Sequence, residues 1–281
     1  MSILEAILLG IVQGLTEFLP ISSSGHLILV PWLQDYTFLE QNPSFNKTFD
    51  VALHMGTLVA VIAYFHAELR AIVAGFVRTI RKRSIGVGSE RIAWVIALGT
   101  VPAVIVGGLG EDWIDENLGE PWMIAVLLIV FGLVLLHADR RPQEKTLGEV
   151  RLRYGLYIGL AQVLALAPGV SRSGITISAG RYLRLDRDTA ARVSFLLLTP
   201  VTAGAVGFKG YEALTEGLPD GVVGPLIVGT IAAAVSGYAA IAGLLALVRH
   251  HSYDAFVVYR VVAGIAVLAL IATGVRSATF G

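Results

Sequence analysis

The sequence predicts an all-α integral membrane protein of inverted-topology repeats, with about six transmembrane helices and two re-entrant helical hairpins meeting near the midplane. Three observations carry this: an apolar composition, six apolar runs of nearly spanning length, and two broken apolar segments that match each other. Of 281 residues, 55% are hydrophobic and only 15% charged, with a mean hydropathy of +0.73. Soluble domains carry roughly 25% charged residues, so this chain has too little polar surface to cover a soluble fold of its size. The formal net charge is zero, and no basic balance points to nucleic acid as a partner. There are no cysteines, which removes disulfides, thiolate metal sites and thiol catalysis. The opening "MSILEAILLGIVQGL" has no Lys or Arg ahead of its apolar run and carries Glu5 inside it. It is expected to belong to the mature fold rather than to a signal peptide.

Taken in chain order, the first element is segment 3–33, which is apolar but interrupted by "PISSSG". Each of its halves is too short to span alone. A run at 51–65 follows, and residues 71–80 either extend it or lie along the interface. Runs at 92–109 and 122–136 come next, each near the roughly 20 residues a spanning helix needs. Segment 152–183 is the second broken one, interrupted by "PGVSRSG". Runs at 190–208, 222–248 and 255–275 complete the chain. Lys and Arg in short loops mark the cytoplasmic side. Arg70, Arg78, Arg81, Lys82, Arg83 and Arg91 fall in one loop, and Arg140, Arg141, Lys145, Arg151 and Arg153 in the next. Arg181, Arg184, Arg187 and Arg192 fall in a third, and Arg249 in a fourth. The opposite loops are acidic: "EDWIDENLGE", and Glu212, Glu216 and Asp220. The bias is consistent only if 3–33 and 152–183 each enter and leave on one side, the first from outside and the second from the cytoplasm. Helix breaks at membrane depth require cover from protein or from a water-filled cavity.

The broken segments also align with one another at a fixed offset and without a gap. Gly10 meets Gly159, Gln13 meets Gln162, Leu15 meets Leu164, Ser22 meets Ser171, Ser24 meets Ser173 and Gly25 meets Gly174. Pro20 and Pro168 are out of step by one. Two repeats, about 1–140 and 150–281, are therefore expected within a single polytopic domain. Inverted repeats place their sites where the broken helices meet, so the two polar clusters are expected to face each other.

Gln13 and Glu17 are four apart and share a helix face, with Gly10 and Gly14 keeping that helix slim. An intramembrane carboxylate such as Glu17 marks either a structural pairing or, more often, a functional site. Ser22, Ser23 and Ser24 precede Gly25 and an apolar half-helix. They read as N-caps or as an anion site at a helix N-terminus. Arg172, between Ser171 and Ser173 and ahead of Gly174, has the planar fork that suits phosphate oxygens. Its alternative is an ion pair with Glu17. His26 stands two or three residues from the candidate hydroxyl nucleophiles and about one turn from the expected anion. A hydroxyl, a carboxylate, an imidazole and an arginine make a phosphoryl-transfer set. His54 and Asp50, four apart on the next span, either pair with each other or line the cavity. No histidine–carboxylate cluster has metal-ligand spacing.

"QGLTEFLPISSSGH" and "PGVSRSG" resemble the two signature motifs of the undecaprenyl-pyrophosphate phosphatase family, the bacitracin-resistance type. The resemblance covers essentially the whole chain. It implies a bacterial inner-membrane enzyme that hydrolyses C55 polyprenyl pyrophosphate to the monophosphate and recycles the lipid carrier for peptidoglycan synthesis. It implies site roles for Gln13, Glu17, Ser22, Ser23, His26, Ser171, Arg172 and Ser173. Because the first box position is Gln13, the acid–base role falls on Glu17. On this reading Arg172 and the amides of both serine loops hold the phosphates in a cavity open to the outer, periplasmic face. Ser23 attacks, assisted by Glu17 or His26, and His26 serves the leaving group or the water. Attack by His26 or by water directly remains open. The resemblance also implies help from a divalent cation, Mg2+ or Ca2+, expected to bind through the pyrophosphate because the site has one carboxylate. A homodimer is a further expectation. The competing class is a transporter of a phosphorylated lipid or small anion, since inverted repeats with broken helices are a transporter design.

Overall fold

The structure, a computed structural model, describes residues 1–216 and 221–279. Most of the acidic side chains on which the outer-loop reading rests, from Glu111 to Glu116 and from Glu212 to Asp220, lie outside the described residues. Among the described residues the secondary structure is helical. Helix α1 (Ile3–Phe18) starts with a capping box, in which Ser2 Oγ accepts from Glu5 N and the Glu5 carboxylate accepts from Ser2 N. It stops two residues before Pro20, as the restricted backbone ahead of a proline requires. Helix α2 (Ser23–Gln34) and a short α3 (Thr37–Gln41) follow. Helix α4 (Pro43–Tyr64) opens with a proline at its first position, where the missing N–H costs nothing. Helix α5 (His66–Lys82) turns away from α4 by 85° at Phe65. Residues 71–80 therefore do not extend the span. Val73, Val77 and Ile80 are exposed on α5 beside Arg70, Arg78 and Arg81, the pattern of a helix lying in an interface.

The remaining helices are α6 (Ser89–Asn117), α7 (Pro121–Asp139), α8 (Leu152–Val163), α9 (Arg172–Tyr182), α10 (Arg187–Glu216), α11 (Val223–Val248) and α12 (Asp254–Ala272). Among the described residues α6, α7, α10, α11 and α12 hold stretches long and apolar enough to cross a membrane, and α4 passes the same test only together with α5, from which it is bent by 85°. Their outward faces stay apolar: Val258, Val262 and Ile265 on α12 and Ile227, Ile231 and Val235 on α11 are exposed. Such stripes are what lipid covers. The expected all-α membrane architecture is the one observed.

Both broken segments are re-entrant. For α8–α9, the N–H groups of Glu144 and Lys145 donate to Arg184 O, each at 3.1 Å, and Asp186 N donates to Lys145 O at 2.8 Å. The chain thus leaves the hairpin beside its point of entry. For α1–α2, Met1 before the hairpin and Tyr36 and Phe38 after it pack on one cluster that includes Phe45, Phe49 and Val222. The 22 residues of α4 separate this end from the other by about 33 Å at 1.5 Å per residue. At that far end Arg192 of α10 reaches Glu68 of α5 at 3.5 Å, and Arg249 reaches Asp188 at 3.1 Å. The buried Asp139 holds Arg181 and Arg187 there, with Oδ1 at 3.4 and 2.8 Å, and accepts from Tyr253 N at 3.1 Å. Basic residues from four loops meet on one face, and the two hairpins open toward opposite ends.

The repeats are interleaved. Helix α1 packs along α11 and α8 packs along α6, so each broken helix is seated in the other half of the chain. The glycines explain the fit. A Cβ at Gly10 would overlap Gly229 O, and one at Gly159, its repeat partner, would overlap Gly99 O. Such close backbone approach is how membrane helices gain packing energy without a hydrophobic drive. The largest core cluster joins Phe18, Phe65, Tyr154, Phe195 and Leu244. Within it Phe18 meets Phe195 edge-on at 5.3 Å, tying α1 to α10.

Candidate active site

The interruptions of the two hairpins form two loops of the same shape. Ser22 has φ 78° and ψ 97°, and Ser171 has φ 75° and ψ 113°. A non-glycine residue held at positive φ costs about 1–3 kcal/mol and persists where its surroundings over-determine it. Here each serine caps the half-helix that follows. Ser22 Oγ accepts from Gly25 N at 3.4 Å, and Ser171 Oγ accepts from Gly174 N at 3.1 Å. The loops are also stitched to each other. Gly169 N donates to Ser22 Oγ at 3.0 Å, and Ser173 Oγ donates to Leu19 O at 3.0 Å. Gly25 lets the two backbones meet: a Cβ there would stand 3.3 Å from Gly169 N and 3.1 Å from Ile124.

Behind both loops lies Arg260 of α12, with no exposed surface. Its guanidinium donates to Pro20 O at 3.1 Å, Gly169 O at 2.9 Å and Val170 O at 3.1 Å. It also donates to Leu128 O at 3.0 Å and Leu127 O at 3.3 Å on α7. One side chain thus holds the carbonyls of both loops. Sequence reading passed over it, although an arginine inside the apolar "AFVVYRVVAG" is itself a signal, since a charge there needs a reason.

In front of the loops is a cleft of about 210 Å³ whose polar lining is Glu17, Ser22, Ser23, Ser24, His54, Gln162, Arg172 and Thr202. Glu17, 7% exposed, is its hub. Ser23 Oγ donates to Glu17 Oε2 at 2.5 Å, and Gln13 Nε2 donates to the same oxygen at 3.1 Å. The other oxygen, Oε1, accepts from Arg172 at 3.0 Å. The remaining arm of the Arg172 fork donates to Ser194 O at 2.9 Å. Of the two readings for Arg172, the ion pair with Glu17 is therefore present, and the same guanidinium also lines the cleft. Ser23 and Ser24 occupy the first two positions of α2, where main-chain N–H groups have no intrahelical partner. A hydroxyl aimed at a carboxylate, an arginine and a helix N-terminus converge on one space. That set can bind an anion and deprotonate a nucleophile beside it.

The other expected residues are placed differently. Gln13 and Gly25 do not line the cleft; the first orients Glu17 and the second closes the gap between the loops. Ser171, Ser173 and Gly174 shape the second loop and spend their polar groups within it and on Leu19 O. His26 is a correction to the expectation of a histidine one turn from the anion. Its ring is 9% exposed and is absent from the cleft lining. Nδ1 stands 2.7 Å from Ser22 O and Nε2 stands 2.7 Å from the Tyr259 hydroxyl, with the rings stacked at 5.6 Å. The carbonyl only accepts, so Nδ1 carries the proton and Nε2 accepts from Tyr259. Both nitrogens are occupied, and His26 holds the strained Ser22 in place.

His54 reaches the cleft instead. The alternative left open for it resolves to lining the cavity: Nδ1 bonds the Asp50 main-chain oxygen at 2.7 Å, and Nε2 lies 3.9 Å from Glu17 Oε2. His54, Leu166 and Ala205 are shared with a second cleft of about 440 Å³. That outer cleft runs past Ile28, Val51 and Pro168 to Lys47 and Asp50, near the α4 start, and to Ile114 and Leu118, near the α6 end. The two together form a path from the serine loops toward the end opposite the basic face.

The model of the family described as "Bacitracin resistance protein BacA" matches residues 6–266. An undecaprenyl-diphosphatase of Geobacter sulfurreducens is 49% identical over 273 residues, covering 96% of this chain and 98% of its own length. An undecaprenyl-diphosphatase of Pelobacter propionicus is 43% identical over 277 residues, covering 98% and 99%. One from Geobacter metallireducens is 45% identical over 273 residues, covering 96% and 99%. The match runs through both serine loops and the helices that interleave around them, so the chain belongs to the bacitracin resistance protein BacA family.

Proposed function

We propose that this chain is an undecaprenyl-diphosphate phosphatase, converting C55 polyprenyl pyrophosphate into the monophosphate and inorganic phosphate. The single observation that carries the chemistry is the Ser23 hydroxyl donating to Glu17 at 2.5 Å while Arg172 holds the other carboxylate oxygen at 3.0 Å. Near-full-length relatives with that activity in their names support the substrate. The terminal phosphate enters the inner cleft and displaces part of the Arg172–Glu17 contact. Arg172 and the N–H groups of Ser23 and Ser24 bind its oxygens and offset the charge that develops. Ser23 Oγ attacks phosphorus as its proton passes to Glu17. The bridging P–O bond breaks, and the lipid monophosphate leaves. Water then cleaves the phosphoserine, giving inorganic phosphate and restoring the Ser23 hydroxyl. His26 contributes by fixing the Ser22 loop.

Among the described residues no group of three His, Cys, Asp or Glu is placed to hold a metal, and both Glu17 oxygens are taken by Ser23, Gln13 and Arg172. The donor set does not fit a protein-held ion. A divalent cation, Mg2+ or Ca2+, would ride on the pyrophosphate oxygens and supply charge neutralisation there. The basic face is assigned to the cytoplasm, which opens the outer cleft to the periplasmic face of the inner membrane. The polyprenyl tail lies among the helices or in surrounding lipid, the two halves, about 1–140 and 150–281, act as one membrane domain, and a homodimer is the expected assembly. Interleaved inverted repeats are also a transporter architecture. Moving an anion, however, gives no work to a serine hydrogen-bonded to a carboxylate. The test is phosphate release from C55 polyprenyl pyrophosphate by the purified protein in detergent, with Arg172→Ala beside it. Release by the wild type and its loss in the variant are expected. No release by a folded wild type, with or without divalent cations, would overturn the assignment.

A further inference from the structure

We infer that His54, not His26, is the imidazole that moves protons in the reaction, working in series with Glu17. The inference rests on the phosphatase reading of the cleft. Three observations support it. His54 stands where the inner and outer clefts join, because it lines both. Its Nδ1 is committed to a carbonyl, Asp50 O, at 2.7 Å; a carbonyl oxygen only accepts, so in the neutral ring the proton sits on Nδ1 and the Nε2 lone pair is free to accept. That Nε2 is 3.9 Å from the Glu17 oxygen that receives the Ser23 hydroxyl. Two acceptors facing each other across this gap make a place for one mobile proton.

The sequence of transfers balances. As Ser23 Oγ bonds to phosphorus, its proton goes to Glu17 Oε2 and on to His54 Nε2. The imidazolium then faces a carboxylate that is again anionic. The bridging P–O bond breaks, and its electron pair leaves with the lipid monophosphate. In the second half, the attacking water gives one proton to Glu17, which passes it to the departing Ser23 Oγ. The water's oxygen and its other hydrogen go out in inorganic phosphate, and His54 releases its proton to water in the outer cleft, so that Glu17, His54 and Ser23 regain their starting states. His54 side-chain exposure is 35%, so the ring also exchanges protons with water in the outer cleft. His26 has neither property: it is buried, with both nitrogens bonded. Among the described residues, the charged groups that line the two clefts with His54 are Glu17 from α1, Arg172 from α9, and Lys47 and Asp50 from its own helix; α6 contributes Ala103 and Ile114 there, and α10 contributes Val201, Thr202, Ala205 and Val206.

The experiment is the pH profile of kcat and KM for phosphate release from C55 polyprenyl pyrophosphate. It uses the full-length protein carrying His54→Gln, His54→Ala, His26→Gln or Arg172→Ala. General acid–base groups contribute at least roughly 100-fold, so His54→Gln is expected to lower kcat by that order while KM holds. The shape of the pH profile is expected to change. Added imidazole is expected to restore part of the activity of His54→Ala. His26→Gln is expected to lower the rate at every pH while leaving the shape of the profile intact. Wild-type kcat and an unchanged profile in His54→Gln, or a change of profile shape in His26→Gln alone, would overturn the inference. Should His54→Gln fail to remain monodisperse, His54→Ala with and without imidazole decides alone: rescue supports the role, and its absence removes it. Failure of the underlying reading has a different signature, namely phosphate release that survives Arg172→Ala.

Discussion

Replacing Arg260 with methionine tests whether the two serine loops are held as a unit from behind. The guanidinium donates to three loop carbonyls, Pro20, Gly169 and Val170, and to two inside α7, Leu127 and Leu128. The α7 carbonyls are also within reach of helical N–H groups, so the loss concentrates on the three in the loops. A buried carbonyl left without a donor costs about 1–3 kcal/mol, or about 3–9 kcal/mol for the three. Methionine recovers part of the penalty for desolvating a guanidinium, which places the net near the low end, about 3 kcal/mol. At about 2–4 °C per kcal/mol for a chain of comparable size, the melting temperature in detergent should fall by about 6–12 °C. The site should suffer with the fold, because Ser22 and Ser171 keep positive φ only while the loops are held. Thermal unfolding, amide exchange over 19–25 and 167–174, and phosphate release would be measured on the same preparation. Arg260→Lys, a point charge with three donors, should lie between the wild type and Arg260→Met. A methionine variant that melts and turns over like the wild type, with both loops equally protected, would refute the reasoning.

Two other perturbations separate chemistry from scaffolding. Ser23→Ala should abolish phosphate release without lowering the melting temperature, since its hydroxyl is spent on Glu17 alone. Ser22→Ala should act mainly on stability, by about 0.5–2 kcal/mol for a lost N-cap, because its Oγ serves Gly25 N and Gly169 N. Equal phosphate release by Ser23→Ala would remove the serine nucleophile. For the interleaved repeats, Gly159→Leu should lower thermal stability by more than the about 1–3 kcal/mol of ordinary overpacking. The added side chain would meet backbone, Gly99 O, rather than a side chain able to shift. A folded variant with wild-type melting would mean that α8 does not sit on α6.

Much of this protein was decided by local sequence. The membrane class follows from composition, since a chain with 15% charged residues cannot wet a soluble surface. The spanning helices follow from the length of their apolar runs, because hydrocarbon thickness sets a length and backbone hydrogen bonding sets a helix. The hairpins and their opposite orientations were legible in loop charge and in the matched "SSSG" and "SRSG" stretches. Glu17, Ser23 and Arg172 were legible because polarity inside apolar segments is costly. Tertiary structure alone decided how the halves interleave, α1 on α11 and α8 on α6, since any glycine-bearing apolar helix offers a similar face until backbones are brought together. It alone placed His54 in the cleft and His26 outside it. Both sit four residues after a carbonyl that takes Nδ1, Ser22 O for His26 and Asp50 O for His54, so their local settings are alike. They differ in what meets Nε2: the Tyr259 hydroxyl, brought in from 233 positions away, for one, and open cleft beside Glu17 for the other. Arg260 gained its meaning the same way, from carbonyls far apart in the chain that share one guanidinium. Hydropathy and motif act along the chain; the partner of a polar group is chosen across it.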